Sequence, residues 1–201
     1  MKVRAVAVTR RIIVASKSQS PHGTIVGLWR WLRSGYIKGK LEGKTVLDPC
    51  CGGRMFYFDK HHPLVIYGDM RQESVSMTDR GKLRSLDIAP DVILDFTCMP
   101  FLDDSFNFVV FDPPHLINCG EKSWLAKKYG KLDKDSWRET LSKGLSECIR
   151  VVKPGCVVAM KWSEGDISTA RLLQSLPYRP AFGDRVGKKR WLFFVKKGEK
   201  K

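Results

Sequence analysis

The sequence predicts an α/β domain built around a mostly parallel sheet. Short apolar runs rich in β-branched and aromatic residues alternate along the chain with longer stretches of helical spacing. Strands separated by helices tend to run parallel and to be covered on both faces, so we expect helices on both sides of the sheet. The chain has 201 residues, of which 43% are hydrophobic, enough for one globular domain with a sizeable core.

The first elements lie in the stretch that follows the basic N-terminal part. Residues 45–48 (Thr-Val-Leu-Asp) are a predicted strand that ends at a turn-forming Pro-Cys-Cys-Gly-Gly segment. Residues 54–60 are predicted to open a helix. Residues 64–67 are a second predicted strand, which ends at a Gly-Asp pair.

Two more strands and a loop are predicted in the middle of the chain. Residues 92–94 form a third strand. Residues 106–111 (Phe-Asn-Phe-Val-Val-Phe) indicate a fully buried fourth strand. An Asp-Pro-Pro segment ends it, because neither proline can donate a backbone hydrogen bond. Residues 118–134 are predicted to be a polar, basic loop.

The C-terminal part repeats the helix–strand alternation. Residues 135–152 have helical spacing with an apolar face, and the helix is expected to stop before a Pro-Gly pair. The later predicted elements are a strand at residues 156–162, a helix at residues 167–176 and a last strand at residues 190–195.

Residues 1–43 and 198–201 are predicted to flank the main domain, which spans residues 44–197. We expect the N-terminal stretch to be a basic extension that packs on the core, with a β-like start, a polar break and a short aromatic helix. We expect the last four residues to be a flexible basic tail.

The chain carries a strong excess of positive charge. Its 36 Lys and Arg residues against 21 Asp and Glu give a formal net charge of +15. Residues 1–44 hold ten basic residues against one acid, and residues 185–201 hold eight against one. Such a surface attracts polyanions, above all nucleic acid. A merely solubilising charge is the alternative. An anionic membrane is disfavoured because no segment is a clean basic amphipathic helix.

The cysteines and the hydropathy pattern give further expectations. The 6 cysteines form no Cys-x-x-Cys pair, so we expect no metal site. The sequence shows no signal-peptide pattern and no long apolar segment. We therefore expect a cytoplasmic protein with reduced thiols and no membrane association.

Four acidic residues stand at the ends of predicted strands, in the order Asp48, Asp69, Asp95 and Asp112. The carboxyl ends of parallel strands meet at one edge of an open α/β sheet, where ligands bind. A carboxylate after the second strand can hold two ribose hydroxyls, and one after the third can meet an adenine amino group. A Gly-Gly turn after the first strand lets the backbone approach a ligand closely. The array therefore predicts a nucleoside-type ligand.

The ordered motifs V-L-D-P-C-C-G-G, G-D, D-F-T-C-M-P-F and F-D-P-P-H resemble those of class I S-adenosylmethionine-dependent methyltransferases. The last motif is similar to the (D/N/S)-P-P-(Y/F/W/H) signature of enzymes that methylate exocyclic amino groups of nucleic-acid bases. More narrowly, the chain looks like the small DNA (amino) methyltransferase-like proteins of phages and Firmicutes. The resemblance covers residues 44–195 and implies a Rossmann-like, seven-stranded fold. One departure is Arg54, which stands where many relatives have glycine or another small residue.

The resemblance also implies a cofactor and site residues. The cofactor is S-adenosyl-L-methionine, and its implied binding residues are Asp48, Pro49, Cys51, Gly52, Gly53, Asp69, Asp95 and Phe96. The implied catalytic residues are Asp112, Pro113, Pro114 and His115. The predicted polar loop contains four candidates for substrate binding, because aromatic rings can stack on bases and lysines can contact phosphates. They are Trp124, Lys127, Lys128 and Tyr129. The alternative is a loop that its aromatic residues merely anchor.

Methyl transfer of this kind needs no metal. A sulfonium methyl is already electrophilic, so the enzyme mainly has to align the amine nitrogen with it. An exocyclic NH2 is a poor nucleophile because its lone pair is delocalised into the ring. Hydrogen bonds from the NH2 to the Asp112 carboxylate and the Pro113 carbonyl strengthen as positive charge develops, so they favour the transition state. His115 is a candidate to stack on a base turned out of its helix.

We therefore predict methyl transfer to a base amino group, with adenine N6 in DNA as the favoured target. An RNA base methyltransferase acting on guanine N2 or adenine N6 is the first alternative. The second is a catalytically silent domain of the same fold that only binds nucleic acid, and the intact Asp-Pro-Pro motif argues against it. A small-molecule substrate is disfavoured by the basic ends of the chain.

Overall fold

The computed structural model of the chain describes residues 41–198. The predicted basic extension lies outside the described residues apart from positions 41–43. The predicted tail lies outside them apart from Gly198. No helix in the described part is long and apolar enough to cross a membrane.

Seven strands form one sheet, and two more form a separate hairpin. The sheet contains β1 (Val46–Asp48), β2 (Val65–Asp69), β5 (Val92–Ile93), β6 (Phe106–Phe111), β7 (Val152–Ser163), β8 (Phe182–Val186) and β9 (Lys189–Val195). The hairpin consists of β3 (Glu73–Asp79) and β4 (Lys82–Ile88). The helices described are α1 (Trp124–Tyr129), α2 (Trp137–Val151) and α3 (Thr169–Ser175).

The protein is thus an α/β protein with a mostly parallel seven-stranded sheet. Its strand order is β5-β2-β1-β6-β7-β9-β8. The first five strands of this order pair in parallel, whereas β9 is antiparallel to both of its neighbours. In chain order, β2 and β5 lie on one side of β1, and the later strands, beginning with β6, lie on its other side. The direction of strand order therefore reverses between β1 and β6. A crevice forms at such a reversal, outside the carboxyl ends of the two strands.

One face of the sheet carries the main hydrophobic core. Alternate residues of the central strands point to this face, among them Leu47, Ile66 and Phe111, and all three are fully buried. Helix α2 covers them, because Trp137 and Leu141 recur on one side of that helix and join the same core. Burying a large apolar side chain contributes roughly 1.5–3 kcal/mol. This packing holds the ends of β1 and β6 in place beneath the crevice.

The opposite face carries a smaller cluster, formed by Cys51, Val65 and Tyr67, with Tyr57 packed against it. Within residues 41–198, turns rather than a helix cover this cluster. The expectation of helices on both faces is therefore not met in the described part of the chain.

The helix predicted at residues 54–60 is wrong, since the segment forms turns. Arg54 has φ 53, in the left-handed region that cannot continue a right-handed helix. Its guanidinium donates to the backbone oxygens of Lys60 and Ala89, each at 2.6 Å, and lies 3.8 Å from the centre of the Tyr67 ring. These contacts fold the segment back on itself. The left-handed backbone is the one that glycine favours.

The β3–β4 hairpin was not predicted from the sequence. Its two-residue turn is Arg80-Gly81, with φ 50 and φ 74, as a type I′ turn requires. The usual signals for this turn are Asn-Gly and Asp-Gly, and the Arg-Gly pair gives neither. The residues of β3 alternate between partly buried and exposed, so no strong apolar period marks the strand.

The remaining predictions differ from the structure mainly at their boundaries. Helix α2 is confirmed, and α3 is confirmed in a shorter form, because the Ser168 side chain caps its first turn by accepting from the Arg171 N–H. Strand β7 begins at Val152, directly after α2, and passes through the Pro-Gly pair predicted to precede it. Strand β8 was not predicted, and the predicted polar loop contains α1, which the Ser123 side chain caps.

Candidate active site

A cavity of about 190 Å³ opens at the carboxyl ends of the parallel strands, where the strand order reverses. It is lined mainly by the turn after β1, the loop after β6 and the end of α1. Twelve of the predicted site residues line it: Pro49, Cys51, Gly52, Gly53, Asp69, Phe96, Asp112, Pro113, Pro114, His115, Lys128 and Tyr129. Four others do not: Asp48, Asp95, Trp124 and Lys127.

Asp48 lies behind the cavity wall, and its side chain is fully buried. One carboxylate oxygen accepts from the backbone N–H of Cys50 at 3.0 Å, and the other accepts from the hydroxyl of Tyr57 at 3.0 Å. Burial raises the pKa of Asp48 to about 7, and the nearby carboxylates of Asp112 and Asp69 act in the same direction. In this structure Asp48 therefore shapes the turn after β1.

That turn forms one wall of the cavity. Gly52 has φ 48, and its N–H donates to Oδ2 of Asp69 at 3.0 Å. A Cβ on Gly53 would lie 2.9 Å from a Leu86 methyl of the hairpin, so only glycine fits without movement. Burial raises the pKa of the Cys51 thiol to about 12, so the thiol is protonated at neutral pH and is not a nucleophile.

Asp69 lines the cavity at the end of β2, and Arg71 engages it. The Arg71 N–H and Nε both donate to Oδ1 of Asp69, at 2.9 and 3.1 Å. Nη1 of Arg71 donates to the backbone oxygen of Lys127 at 2.8 Å. Arg71 therefore ties β2 to α1 across the mouth of the cavity. Arg71 was not predicted as a site residue, although a basic residue two positions after a strand-end acid is visible in the sequence.

Asp112 lines the cavity at the end of β6 and forms an ion pair with Lys161 of β7. Nζ of Lys161 lies 2.7 Å from Oδ2 of Asp112, and the two side chains are 23% and 20% exposed. The same ammonium lies 5.0 Å from the ring centre of Phe56, which also lines the cavity. Neither Lys161 nor Phe56 was predicted as a site residue. Only the pairing of β6 with β7 brings Lys161 to Asp112.

His115 packs between two aromatic rings. Its ring centre lies 5.2 Å from that of Tyr129, which lines the cavity, and 6.2 Å from that of the buried Trp162. Burial lowers the pKa of His115, so the imidazole is neutral at neutral pH. The loop is fixed further on, where the Ile117 N–H donates to the Asp166 carboxylate at 2.6 Å. His115 thus presents a flat, uncharged ring at the cavity.

Asp95 and Phe96, which follow β5, have different surroundings: only Phe96 lines the cavity. Oδ1 of Asp95 accepts from the N–H and the hydroxyl of Thr97, at 2.8 and 2.7 Å, which makes it part of a local turn. Phe96 instead lines the cavity and packs edge-on against Phe111, with ring centres 5.5 Å apart.

The predicted substrate-binding residues also fall into two groups, one at the cavity and one at the hairpin. The last two residues of α1 line the cavity, while Trp124 at its start lies 5.9 Å from the Arg84 guanidinium of the hairpin. Lys127 points to Glu73 of the hairpin, with Nζ 3.7 Å from its carboxylate. Trp124 and Lys127 therefore face the hairpin, whereas the end of the helix faces the cavity.

Comparisons with known proteins add nothing to this geometry. No protein-family model matches the chain, and no curated protein matches it. Among residues 41–198, no three His, Cys, Asp or Glu side chains come together as a metal-binding group.

Proposed function

We propose that the protein is a class I S-adenosylmethionine-dependent methyltransferase that acts on an exocyclic amino group of a nucleic-acid base. Adenine N6 in DNA is the favoured target. One observation carries the proposal: the Asp112-Pro113-Pro114-His115 segment lines the same cavity as the glycine turn after β1 and Asp69. These are the parts that a methyl donor and an amine acceptor would need side by side.

The topology supports a Rossmann-like fold. Counted in chain order without the hairpin, the first five strands of the sheet lie in the order 3-2-1-4-5. This is the order of doubly wound nucleotide-binding sheets, whose ligands bind where the order reverses. The cavity lies at that reversal, between the ends of β1 and β6.

The turn after β1 and the end of β2 would hold the S-adenosylmethionine cofactor. The glycine backbone allows close approach, and Asp69 is the acceptor for ribose hydroxyls. The cavity of about 190 Å³ is smaller than the roughly 300–1,000 Å³ of typical ligand sites, and Arg71 occupies the Asp69 carboxylate. We therefore expect the Arg71 guanidinium to release Asp69 when the cofactor binds. When bound, the cofactor supplies an electrophilic methyl group.

Asp112 and Pro113 would bind the target amine. Lys161 engages Oδ2 of Asp112, and no described residue donates to Oδ1. Oδ1 and the Pro113 carbonyl are then the two acceptors for the NH2 group, and the ion pair with Lys161 holds the carboxylate in place. These acceptors stabilise the positive charge that develops on nitrogen. The neutral ring of His115 offers a face for the base.

The test is methyl transfer to total nucleic acid. Purified full-length protein is incubated with methyl-tritiated cofactor and separately with total DNA and total RNA, and the products are hydrolysed to nucleosides. We expect label in N6-methyladenine from DNA, and at least about 100-fold slower labelling with the Asp112→Ala variant. Label in RNA alone would favour the RNA alternative. Cofactor binding without any transfer would favour the catalytically silent domain.

A further inference from the structure

The sheet face that carries Asp112 continues onto the last strands. Strands β6 and β7 pair so that Phe111 lies opposite Met160, which places Asp112 beside Lys161. Lys161 in turn lies opposite Trp191 of β9. Residues directly opposite each other on paired strands point to the same face, so Asp112, Lys161 and Trp191 share one side of the sheet.

Four aromatic rings follow one another along this face. The Phe56 ring lies 6.2 Å from the Trp191 ring, and the Trp191 ring lies 6.4 Å from that of Phe193. Phe193 stacks on Phe182 of β8 with ring centres 4.9 Å apart. We call Phe56, Trp191, Phe193 and Phe182 the aromatic row. Phe182 is 59% exposed, and the other three are partly exposed. The aromatic row thus leads from open solvent to the ion pair at Asp112.

A cationic turn flanks the aromatic row. Lys188 lies in the turn between β8 and β9, Lys189 is the first residue of β9, and both are exposed. Because β9 is antiparallel to β7, this turn lies at the same edge of the sheet as Asp112. Strand β9 is two strands from β6, a distance of about 10 Å. In the described part of the chain no carboxylate lies within 4.0 Å of either lysine, and residues 182–195 carry four basic residues against Asp184.

Basic residues also stand at the far edge of the sheet. Lys196 follows β9, and its Nζ lies 2.6 Å from Oδ1 of Asp104, which precedes β6. Lys197 and Lys153 are exposed near the same edge, at the end of β9 and the start of β7. The basic C-terminal segment is therefore divided between two edges of the sheet, and only one edge carries the cavity.

We propose that the aromatic row and the turn at Lys188 and Lys189 bind a single strand of nucleic acid and lead it to Asp112. Bases of any sequence stack on aromatic faces, and lysines beside such a platform hold the backbone phosphates. The positive turn complements this ligand, and the row ends beside the proposed amine site. This inference rests on the proposed function, because the surface would deliver the substrate strand to the methylation site. Binding of the strand itself requires no methyl transfer.

The experiment measures binding by fluorescence anisotropy, without cofactor, using labelled 12-nucleotide single strands of DNA and of RNA and a 12-base-pair duplex. We expect the full-length protein to bind a single strand more tightly than the duplex. Trp191→Ala and Phe182→Ala should each weaken single-strand binding at least about fivefold. The DNA and RNA arms identify which single strand is preferred. Phe182 is mostly exposed, so its variant keeps the test valid if Trp191→Ala does not fold.

Matched charge variants locate the phosphate contacts. The Lys188→Gln/Lys189→Gln variant should lower the slope of log affinity against log salt by about 1–1.5, as expected for two contacts on a single strand. The Lys153→Gln/Lys197→Gln variant removes the same charge from the far edge and should leave the slope unchanged. The anisotropy measurement contains no cofactor and requires no methyl transfer, so a failure of methyl transfer is distinguished from a failure of this surface.

Three results would overturn the proposal. One is wild-type affinity in both aromatic variants. Another is equal loss of slope in the two lysine variants. The third is the absence of single-strand binding by the wild type.

Discussion

Asp112 and Asp48 end neighbouring strands of the sheet, yet only Asp112 reaches the cavity. Asp48 is fully buried behind the wall and bonds to its own turn and to Tyr57, while Asp112 is 20% exposed and pairs with Lys161. The same division recurs further out in the sheet, because Asp69 lines the cavity and Asp95 closes a local turn. An acidic residue at a strand end can thus either stabilise the turns around the cavity or line the cavity itself. Its position in the sequence does not decide which of the two it does.

The largest expected effect is a difference in methylation rate between a variant of Asp112 and a variant of Asp48. Asp112→Ala should lower the methylation rate by about 10²–10³-fold or more, since it removes an acceptor for charge that develops on the amine. Asp48→Asn can accept from the Cys50 N–H through its amide oxygen and donate from its amide nitrogen to the Tyr57 hydroxyl oxygen, so it should retain most of the rate. Single-turnover rates of the two variants, with cofactor affinity measured alongside, provide the comparison. Comparable rate losses with unchanged folding would remove the distinction between the two acids.

The second prediction concerns stability and pH. Burial raises the pKa of Asp48 from 3.8 to about 7, so between these values the folded protein holds a proton that the unfolded chain has lost. The free energy of unfolding should therefore fall as pH rises from about 4 to 7, by an amount on the order of 4 kcal/mol from this group.

Asp48→Asn cannot ionise and should lack this contribution. Urea unfolding of the wild type and the variant at pH 5 and pH 8 measures it, and the difference between the two proteins cancels other titrating groups. The variant should gain stability relative to the wild type at pH 8. A constant difference across this range would mean that Asp48 is ionised throughout.

The third prediction tests the acid at the end of β2. Asp69→Ala should weaken the binding of S-adenosylhomocysteine by roughly 1–3 kcal/mol, because ribose hydroxyls lose their acceptor. Arg71→Met is the matched control: it keeps Asp69 and removes the Arg71 guanidinium from Oδ1 of its carboxylate, so it should bind at least as tightly as the wild type. Isothermal titration measures both. Weaker binding in Arg71→Met would show that Arg71 contributes to the cofactor site instead of covering it.

The sequence predicted the sheet better than the site. Strong apolar runs mark β2 and β6, and a full amphipathic period marks α2, so these elements were found. The turns at residues 54–60 were not predicted, because the bonds of Arg54 to Lys60 and Ala89 become visible only in the folded chain. Lys161 was missed for a similar reason, since its meeting with Asp112 depends on strand pairing between residues 49 positions apart.

The smallest effect should come from Asp95. Its carboxylate accepts two hydrogen bonds from Thr97, within its own turn, and it does not line the cavity. Asp95→Ala should therefore cost about 1 kcal/mol of stability, the usual net value of such bonds, and change the dissociation constant of S-adenosylhomocysteine by less than about twofold. Asp95→Asn keeps an acceptor for the turn and serves as the control. If Asp95→Ala instead weakened binding tenfold while Asp95→Asn did not, the acid would have to leave its turn to meet the adenine amino group. The end of β5 would then belong with Asp69 and Asp112 in the ligand site.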